Sequence, residues 1–321
     1  MPLEFKFNEP VSRSTSDKCS ASPCKNAGSD VVAKCCGLGN HDELRLNGTE
    51  IHFDCAGETD VGLKRRENQD QFFIADLHKN MHVLDSSVPF HSDRLYGNSI
   101  AKLLLVADGM GGHNAGNVAS GLATTNAIRF LLNSMHWLYH PTENEIQNFI
   151  NDLKSAANFT HEVVCQNAEE VPDFRGMGTT LTMAYLVWPM LYVLHVGDSR
   201  CYILSDEKLE RITKDQTLAQ ELADHGYFTD EDIAKSPYQN VLISAIGCQD
   251  SPDAIVYRRQ LKKGDRILLC SDGITSHLSD EQIHQHLAAR ASAGSISRTL
   301  VATANEMGGS DNSTAVVGIC S

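Results

Sequence analysis

The sequence has few basic residues and no long apolar run. Lys and Arg number 27 against 41 Asp and Glu, which gives a net charge of −14. A basic face for nucleic acid or an anionic membrane is difficult to assemble from such a composition. A membrane span needs about 18 or more consecutive apolar residues, and residues 1–6 (MPLEFK) lack the apolar segment of a signal peptide. We therefore expect a cytoplasmic protein with no membrane or nucleic-acid partner.

The first part of the chain lacks sustained hydrophobic periodicity. Residues 1–48 are rich in Ser, Lys, Asn and Gly, which predicts a flexible extension outside the fold. The remaining residues, 49–321, are predicted to form the folded domain. With 41% hydrophobic residues, the 321-residue chain has enough apolar side chains for a proper core.

Cysteine is frequent for a reducing compartment, with ten residues. Cys201, Cys270 and Cys320 stand inside apolar strand-like runs, which predicts buried, inert thiols. A second group lies in the extension: Cys19, Cys24, Cys35, Cys36 and the nearby His41. The spacing of Cys19 and Cys24 suits zinc, but an adjacent Cys35-Cys36 pair is unusual for the second half of a zinc site. Both a structural zinc and a set of thiols without function remain open.

Three apolar runs end in aspartate followed or preceded by glycine. Residues 103–108 read as a buried strand that ends at Asp108, and residues 191–198 and 267–273 repeat the pattern with Asp198 and Asp272. Asp70 and Asp311 also lie where a polar turn meets an apolar strand. One Asp-Gly pair is most often simple turn chemistry. Five such acids that converge in space would repel one another and would need cations.

The five aspartates offer only oxygen atoms as ligands, and these are hard ligands. Such ligands suit Mg²⁺ or Mn²⁺ rather than zinc or copper. Two such ions close together can activate a water molecule as a nucleophile, and a phosphoryl group is its natural target. Arg65 lies five residues before Asp70, and its guanidinium matches phosphate oxygens.

The order of the predicted elements favours an α+β fold over a doubly wound sheet. Helices are predicted at 118–132, 143–168, 280–291 and 296–306. Strands are predicted at 51–55, 71–75, 103–108, 179–187, 191–196, 200–204, 255–261, 266–271 and 314–319. Residues 179–204 read as a meander, residues 78–99 as a surface loop, and residues 215–240 as a mobile flap. Two antiparallel sheets packed face to face, with helices on both outer sides, would use every element.

Six short motifs, in this order, resemble those of the metal-dependent Ser/Thr protein phosphatases of the type 2C family in their bacterial form. They are residues 65–70 (RRENQD), 108–113 (DGMGGH), 178–180 (GTT), 197–200 (GDSR), 271–273 (SDG) and 311–314 (DNST). The resemblance implies a four-layer αββα sandwich, two core Mn²⁺ or Mg²⁺ ions, and hydrolysis of phosphoserine and phosphothreonine without a covalent intermediate. It also implies phosphoprotein partners that include a Ser/Thr kinase and its substrates.

The resemblance assigns roles position by position. The core metal ligands would be Asp70, Asp108, Asp272, Asp311 and the backbone carbonyl of Gly109. Arg65 would bind the phosphate.

Several positions leave alternatives open. Asp198 resembles a ligand of a third metal ion that would share Asp272, but it could instead be a turn acid that orients Arg200. His113 could protonate the leaving group, although its place five residues after Asp108 favours a structural role. Gln69 stands where many members carry Glu, and Gln216 stands where bacterial members often carry His. Neither change removes a predicted metal ligand, so we expect activity to survive.

Two other functions fit the same residues. A catalytically weak scaffold would be expected to have lost metal acids, and none is missing. Hydrolysis of small phosphoesters or nucleotides would use the same metal centre, and the predicted flap at 215–240 would select the substrate. The glycine cluster lacks the Gly-Lys-Ser/Thr ending of a nucleotide loop.

Overall fold

The computed structural model describes residues 52–85, 87, 94–112, 115–134, 142–248 and 251–321. The predicted extension at 1–48, its cysteines and His113 lie outside these residues.

The described strands form two antiparallel sheets. The first has the order β1-β11-β10-β7-β8, and the second has the order β2-β3-β5-β6-β9, with β4 paired to β3. The first sheet comprises β1 (Phe53–Asp60), β7 (Arg200–Ser205), β8 (Lys208–Arg211), β10 (Arg266–Cys270) and β11 (Ser313–Cys320). The second comprises β2 (Asp70–His82), β3 (Arg94–Met110), β4 (Gly178–Thr179), β5 (Leu181–Val187), β6 (Met190–Val196) and β9 (Ile255–Gln260).

Seven α-helices are found in the described residues. They are α1 (Ala115–Ser134), α2 (Glu143–Glu170), α3 (Leu218–Asp224), α4 (Asp230–Lys235), α5 (Asp272–Thr275), α6 (Asp280–Ala288) and α7 (Ala293–Glu306). Side-chain caps start most of them; Thr142 and Glu145, for example, form a reciprocal capping box at the start of α2. None of these helices is long and apolar enough to span a membrane.

Alternation along the strands divides the core into three layers. In β3, Leu103 and Leu105 pack against α1 and α2, whereas Leu104 and Val106 pack between the two sheets. This two-sided burial explains the uninterrupted apolar run in the sequence. On the other side, the first sheet packs against α6 and α7 through residues that include Leu268, Ile283 and Leu300. The order of layers is therefore helix, sheet, sheet, helix, as the sequence predicted.

Small residues allow α1 to lie close to the second sheet. Ala115, Ala119, Ala123 and Ala127 follow one another at four-residue spacing and are at most 2% exposed. The four-residue period places them on one face of the helix. This close packing fixes the glycine turn that precedes α1.

Two predictions about connections were wrong. The segment predicted as a loop at 78–99 is strand at 78–82 and 94–99, because β2 continues to His82 and β3 begins at Arg94, with a register shift between His78 and Asn80. Backbone hydrogen bonds hold this hairpin extension, so it needs no apolar side chains. The predicted meander also ends early: β6 pairs with β5 and β9, whereas β7 pairs with β8 and β10 in the other sheet. The chain crosses between the sheets at residues 197–199, where Gly197 has φ +107°.

The predicted cysteine burial is confirmed. Cys201, Cys270 and Cys320 are fully buried in strands β7, β10 and β11 of the first sheet. The segment predicted as a flap contains α3 and α4.

Candidate active site

The site begins at the paired ends of β2 and β3. Asp70 and Asp108 are directly opposite each other in the antiparallel register. Opposite residues project to the same face of a sheet. Since Val106 and Phe72, two positions away on each strand, face the space between the sheets, both carboxylates face the other sheet.

Asp70 is held by two residues of that other sheet. Its Oδ2 accepts hydrogen bonds from Ser271 Oγ at 2.7 Å and Thr314 Oγ1 at 2.6 Å. Its Oδ1 is buried and has no hydrogen-bond partner among the residues that the structure describes. Burial raises the pKa of Asp70 to about 6, and the charges of Asp272 and Asp311 act in the same direction, against the two hydroxyl donors. One carboxylate oxygen is thus fixed by the protein, and the other is left for a ligand.

Asp108 is fixed through its backbone. Its N–H donates to Thr180 Oγ1 at 2.9 Å, and its carbonyl accepts from Thr180 N at 2.9 Å and Thr179 Oγ1 at 2.8 Å. The next residue must be glycine, because a Cβ at Gly109 would lie 2.1 Å from the carbonyl oxygen of Gly116 in α1. Burial raises the pKa of the Asp108 carboxyl well above its usual range, and the charges of Asp70 and Asp272 add to the increase.

Asp272 and Asp311 lie at the same edge of the first sheet. Asp272 opens α5 directly after β10, and Asp311 lies two residues before β11. Burial and the charge of Asp311 raise the pKa of Asp272, and its carboxyl forms a hydrogen bond with that of Asp108.

Arg65 reaches the site from an exposed loop. Its Nη2 lies 2.6 Å from Asp311 Oδ2, and its side chain is 54% exposed. A guanidinium has five N–H donors. The ion pair with Asp311 therefore leaves donors of Arg65 for a further anion.

Asp198 lies in the crossover between β6 and β7. It is 9% exposed, and burial raises its pKa together with the charges of Asp272 and Asp215. The alternative role for Asp198 was to orient Arg200. That role belongs to Asp215, which accepts from Arg200 Nε at 3.0 Å and from Nη2 at 2.7 Å.

Gln216 supports the same crossover. Its Oε1 accepts from Gly197 N at 2.7 Å, and its Nε2 donates to the carbonyl of Asp253 at 2.7 Å. An amide can do both because it carries a donor and an acceptor. Gln216, which stands where many family members carry histidine, therefore has a structural role in this crossover.

The donor set fits hard divalent cations. The described residues hold no group of three or more His, Cys, Asp or Glu side chains already arranged around one point. The observation that supports a cation is the partnerless, buried Asp70 Oδ1, together with neighbouring carboxyls whose negative charges raise one another's pKa values. Oxygen-only donors of this kind suit Mg²⁺ or Mn²⁺.

The sequence interpretation missed the polar residues that orient the acids. Ser271, Thr314, Thr180 and Asn312 lie inside the quoted motifs but received no role. A signal was available for two of them: in β10 and β11 every second residue faces the space between the sheets, and Ser271 and Thr314 continue that alternation past Leu269 and Val316.

Comparison with known proteins gives the family. The sequence model of the protein phosphatase 2C family matches residues 90–305. A serine/threonine protein phosphatase, PstP, of Mycobacterium tuberculosis is 36% identical over 228 residues, which cover 71% of this chain and 41% of that protein. A serine/threonine phosphatase, stp, of Listeria monocytogenes is 32% identical over 218 residues, which cover 67% of this chain and 83% of that protein. The chain belongs to the protein phosphatase 2C family.

The fold agrees with solved structures. The crystal structure of M. tuberculosis PstP/Ppp has a TM-score of 0.67 at 31% identity and covers 83% of this chain and 98% of that one. The catalytic domain of PstP in complex with two manganese ions has a TM-score of 0.65 at 32% identity and covers 84% of this chain and 99% of that one. The chain spans about two fifths of the length of the full PstP protein that it matches.

Proposed function

We propose that this protein hydrolyses phosphoserine and phosphothreonine in other proteins and that the reaction depends on Mn²⁺ or Mg²⁺. The proposed ligands are Asp70, Asp108, Asp272, Asp311 and the backbone carbonyl of Gly109. The observation that carries the proposal is the geometry of Asp70: Ser271 and Thr314 both donate to one of its oxygens, and the other is buried with no partner in the described part of the chain.

Each side chain has a distinct part in this reaction. Divalent ions bound here would supply an activated water nucleophile and would neutralise charge on the phosphoryl group. Arg65 orients the phosphate through the guanidinium donors that Asp311 leaves available. Thr179 and Thr180 fix the backbone on either side of Asp108, so that its carboxylate does not have to reorganise on binding.

The proposal also includes a third ion, the metal used and the partners. We include Asp198 as a ligand of a third ion that shares Asp272, because it is buried close enough for the charge of Asp272 to raise its pKa. The PstP relative, named a serine/threonine protein phosphatase and solved with two manganese ions, supports phosphoprotein substrates and this metal. We place the protein in the cytoplasm, where a Ser/Thr kinase and its substrates would be its partners.

The test is metal-dependent release of phosphate from a phosphothreonine peptide. We expect activity with Mn²⁺, loss of activity with EDTA, and recovery when Mn²⁺ is restored. Asp272→Asn should lower turnover by several orders of magnitude, whereas Asp173→Asn, an equal charge change at an exposed position, should leave it unchanged.

Three results would contradict the proposal. Near-normal turnover in Asp272→Asn would exclude the acid-based metal centre. Absence of turnover on every substrate would favour the scaffold. Faster hydrolysis of a nucleotide panel than of phosphopeptides would favour small phosphoesters.

A further inference from the structure

In its loop, Arg65 has a basic residue on each side. Lys64, Arg65 and Arg66 are consecutive and exposed, in a chain whose net charge is −14. Arg65 is occupied by Asp311, with 2.6 Å between Nη2 and Oδ2. In the described part of the chain, Lys64 and Arg66 have no carboxylate partner.

The protein fixes the backbone of this loop. Asn312 Nδ2 donates to the carbonyls of Val61 and Glu67, each at 2.9 Å, and Leu63 N donates to the carbonyl of Gly309 at 2.8 Å. The loop is therefore tied at both ends to the segment that carries Asp311. Lys64 and Arg66 are therefore exposed next to Arg65 on a backbone that is fixed at both ends.

We propose that Lys64 and Arg66 bind acidic side chains next to the phosphorylated residue, so that phosphopeptides with flanking Asp or Glu are the preferred substrates. This inference rests on the proposed function. Residues of an extended peptide are about 3.3–3.6 Å apart, so positions one or two away from a phosphate held by Arg65 lie within reach of the neighbouring side chains.

The opposite preference has an argument in its favour, since an acidic protein attracts basic peptides. Screening by salt decides between the two substrate preferences, because exposed charges further apart than about 8–10 Å interact weakly at physiological ionic strength. The local charge of the loop then matters more than the net charge. The loop between β1 and β2 carries Lys64 and Arg66, besides Arg65, and the single acid Glu67.

The experiment compares kcat/KM for three phosphothreonine peptides that differ only in Glu, Ala or Lys at the two positions on either side of the phosphorylated residue. We expect the Glu peptide to exceed the Ala peptide by about threefold to tenfold, the range that one or two exposed ion pairs give. The preference should shrink at about 0.5 M NaCl. It should disappear in the Lys64→Ala/Arg66→Ala double variant and reverse in Lys64→Glu/Arg66→Glu.

A matched control is Lys263→Glu. Lys263 is exposed in the turn before β10, at the end of that strand opposite Ser271. It should keep the wild-type preference. Hydrolysis of p-nitrophenyl phosphate, which has no flanking residues, should be unchanged in Lys263→Glu; in the Lys64 and Arg66 variants it measures the change in phosphate binding, against which the ratio between peptides is read.

The outcomes separate this inference from the proposed function. Equal hydrolysis of the three peptides, a preference for Lys flanks, or an unchanged preference in Lys64→Glu/Arg66→Glu would overturn the inference alone. A lack of hydrolysis of any phosphopeptide or of p-nitrophenyl phosphate would overturn both.

Discussion

Asn312 holds Gln69 in place across the interface of the two sheets, with 2.9 Å between Asn312 Oδ1 and the backbone nitrogen of Gln69. Its Nδ2 donates to the carbonyls of Val61 and Glu67, and the side chain is only 5% exposed. A single amide therefore positions the segment between Arg65 and Asp70. The acid and the arginine of the site depend on it together.

Replacement of Asn312 by Ala should destabilise the protein by about 3 kcal/mol, because it leaves three backbone groups without partners. It should also raise KM for a phosphopeptide, since Arg65 loses its support. Urea denaturation and steady-state kinetics measure the two effects. Asn312→Asp keeps one acceptor but faces two carbonyls with a carboxylate oxygen, so it should be no more stable than the Ala variant. A loss below about 1 kcal/mol for Asn312→Ala would contradict this role.

Asp108→Asn should make the metal-free protein more stable while abolishing hydrolysis. Burial and the neighbouring carboxylates disfavour the ionised form of Asp108, as its raised pKa indicates, and the amide removes that charge. Mn²⁺ should raise the melting temperature of the wild type and raise that of the variant less. Thermal unfolding with and without Mn²⁺ tests both points. Asp173→Asn serves as the control, and a variant less stable than the wild type in EDTA would count against charge repulsion in the site.

His277 connects the two acidic segments of the first sheet. Its Nδ1 donates to the carbonyl of Gly273 at 2.9 Å, and its Nε2 accepts from Ser310 N at 3.3 Å. We expect His277→Leu to weaken Mn²⁺ binding by about tenfold to a hundredfold, as the loss of outer-shell partners does elsewhere. His277→Gln should recover part of this loss. Calorimetric titration with Mn²⁺ gives the affinities, and His284→Leu on α6 is the control; equal affinities in the wild type and His277→Leu would refute the prediction.

His195 should make stability depend on pH. Burial lowers its pKa to about 4 from the ordinary 6.5. Between these values the unfolded chain binds a proton that the folded protein excludes, so stability is complete above about pH 6.5 and falls as the pH decreases towards 4. Between pH 7 and pH 5 the wild type should lose about 2 kcal/mol through this group.

The comparison variant is His195→Gln. Its free energy of unfolding should change less over the same interval, as measured by urea titrations at each pH. The difference between the two slopes isolates the histidine from the carboxyls, which titrate in both proteins. Identical slopes would show that folding does not change the pKa of His195.

The predictable part of the fold was the part in which side chains decide the structure. The run at 103–108 is buried on both faces, so its apolar continuity predicted a strand between a helix layer and another sheet. The hairpin extension from β2 to β3 is held by backbone pairing, which leaves little trace in composition. The crossover at Gly197 resembled a hairpin turn because local sequence does not reveal which sheet the next strand joins.

The same distinction applies to the site. Asp108 was recognisable because it ends a buried apolar strand, and Asp70 because it lies where a polar turn meets an apolar strand. The ion pair between Arg200 and Asp215 joins residues fifteen positions apart, and nothing in their spacing selects Asp215 over Asp198. The placement of Asp70 opposite Asp108 follows from the antiparallel register of β2 and β3.

The two halves of the acid pocket belong to different layers of the sandwich. Asp70 and Asp108 come from one sheet, and Asp272 and Asp311 flank strands of the other. An ion bound by both pairs would link the two sheets. Sliding of one sheet over the other would separate the two pairs of carboxylates. Hydrolytic activity and the packing of the two sheets should therefore be lost together.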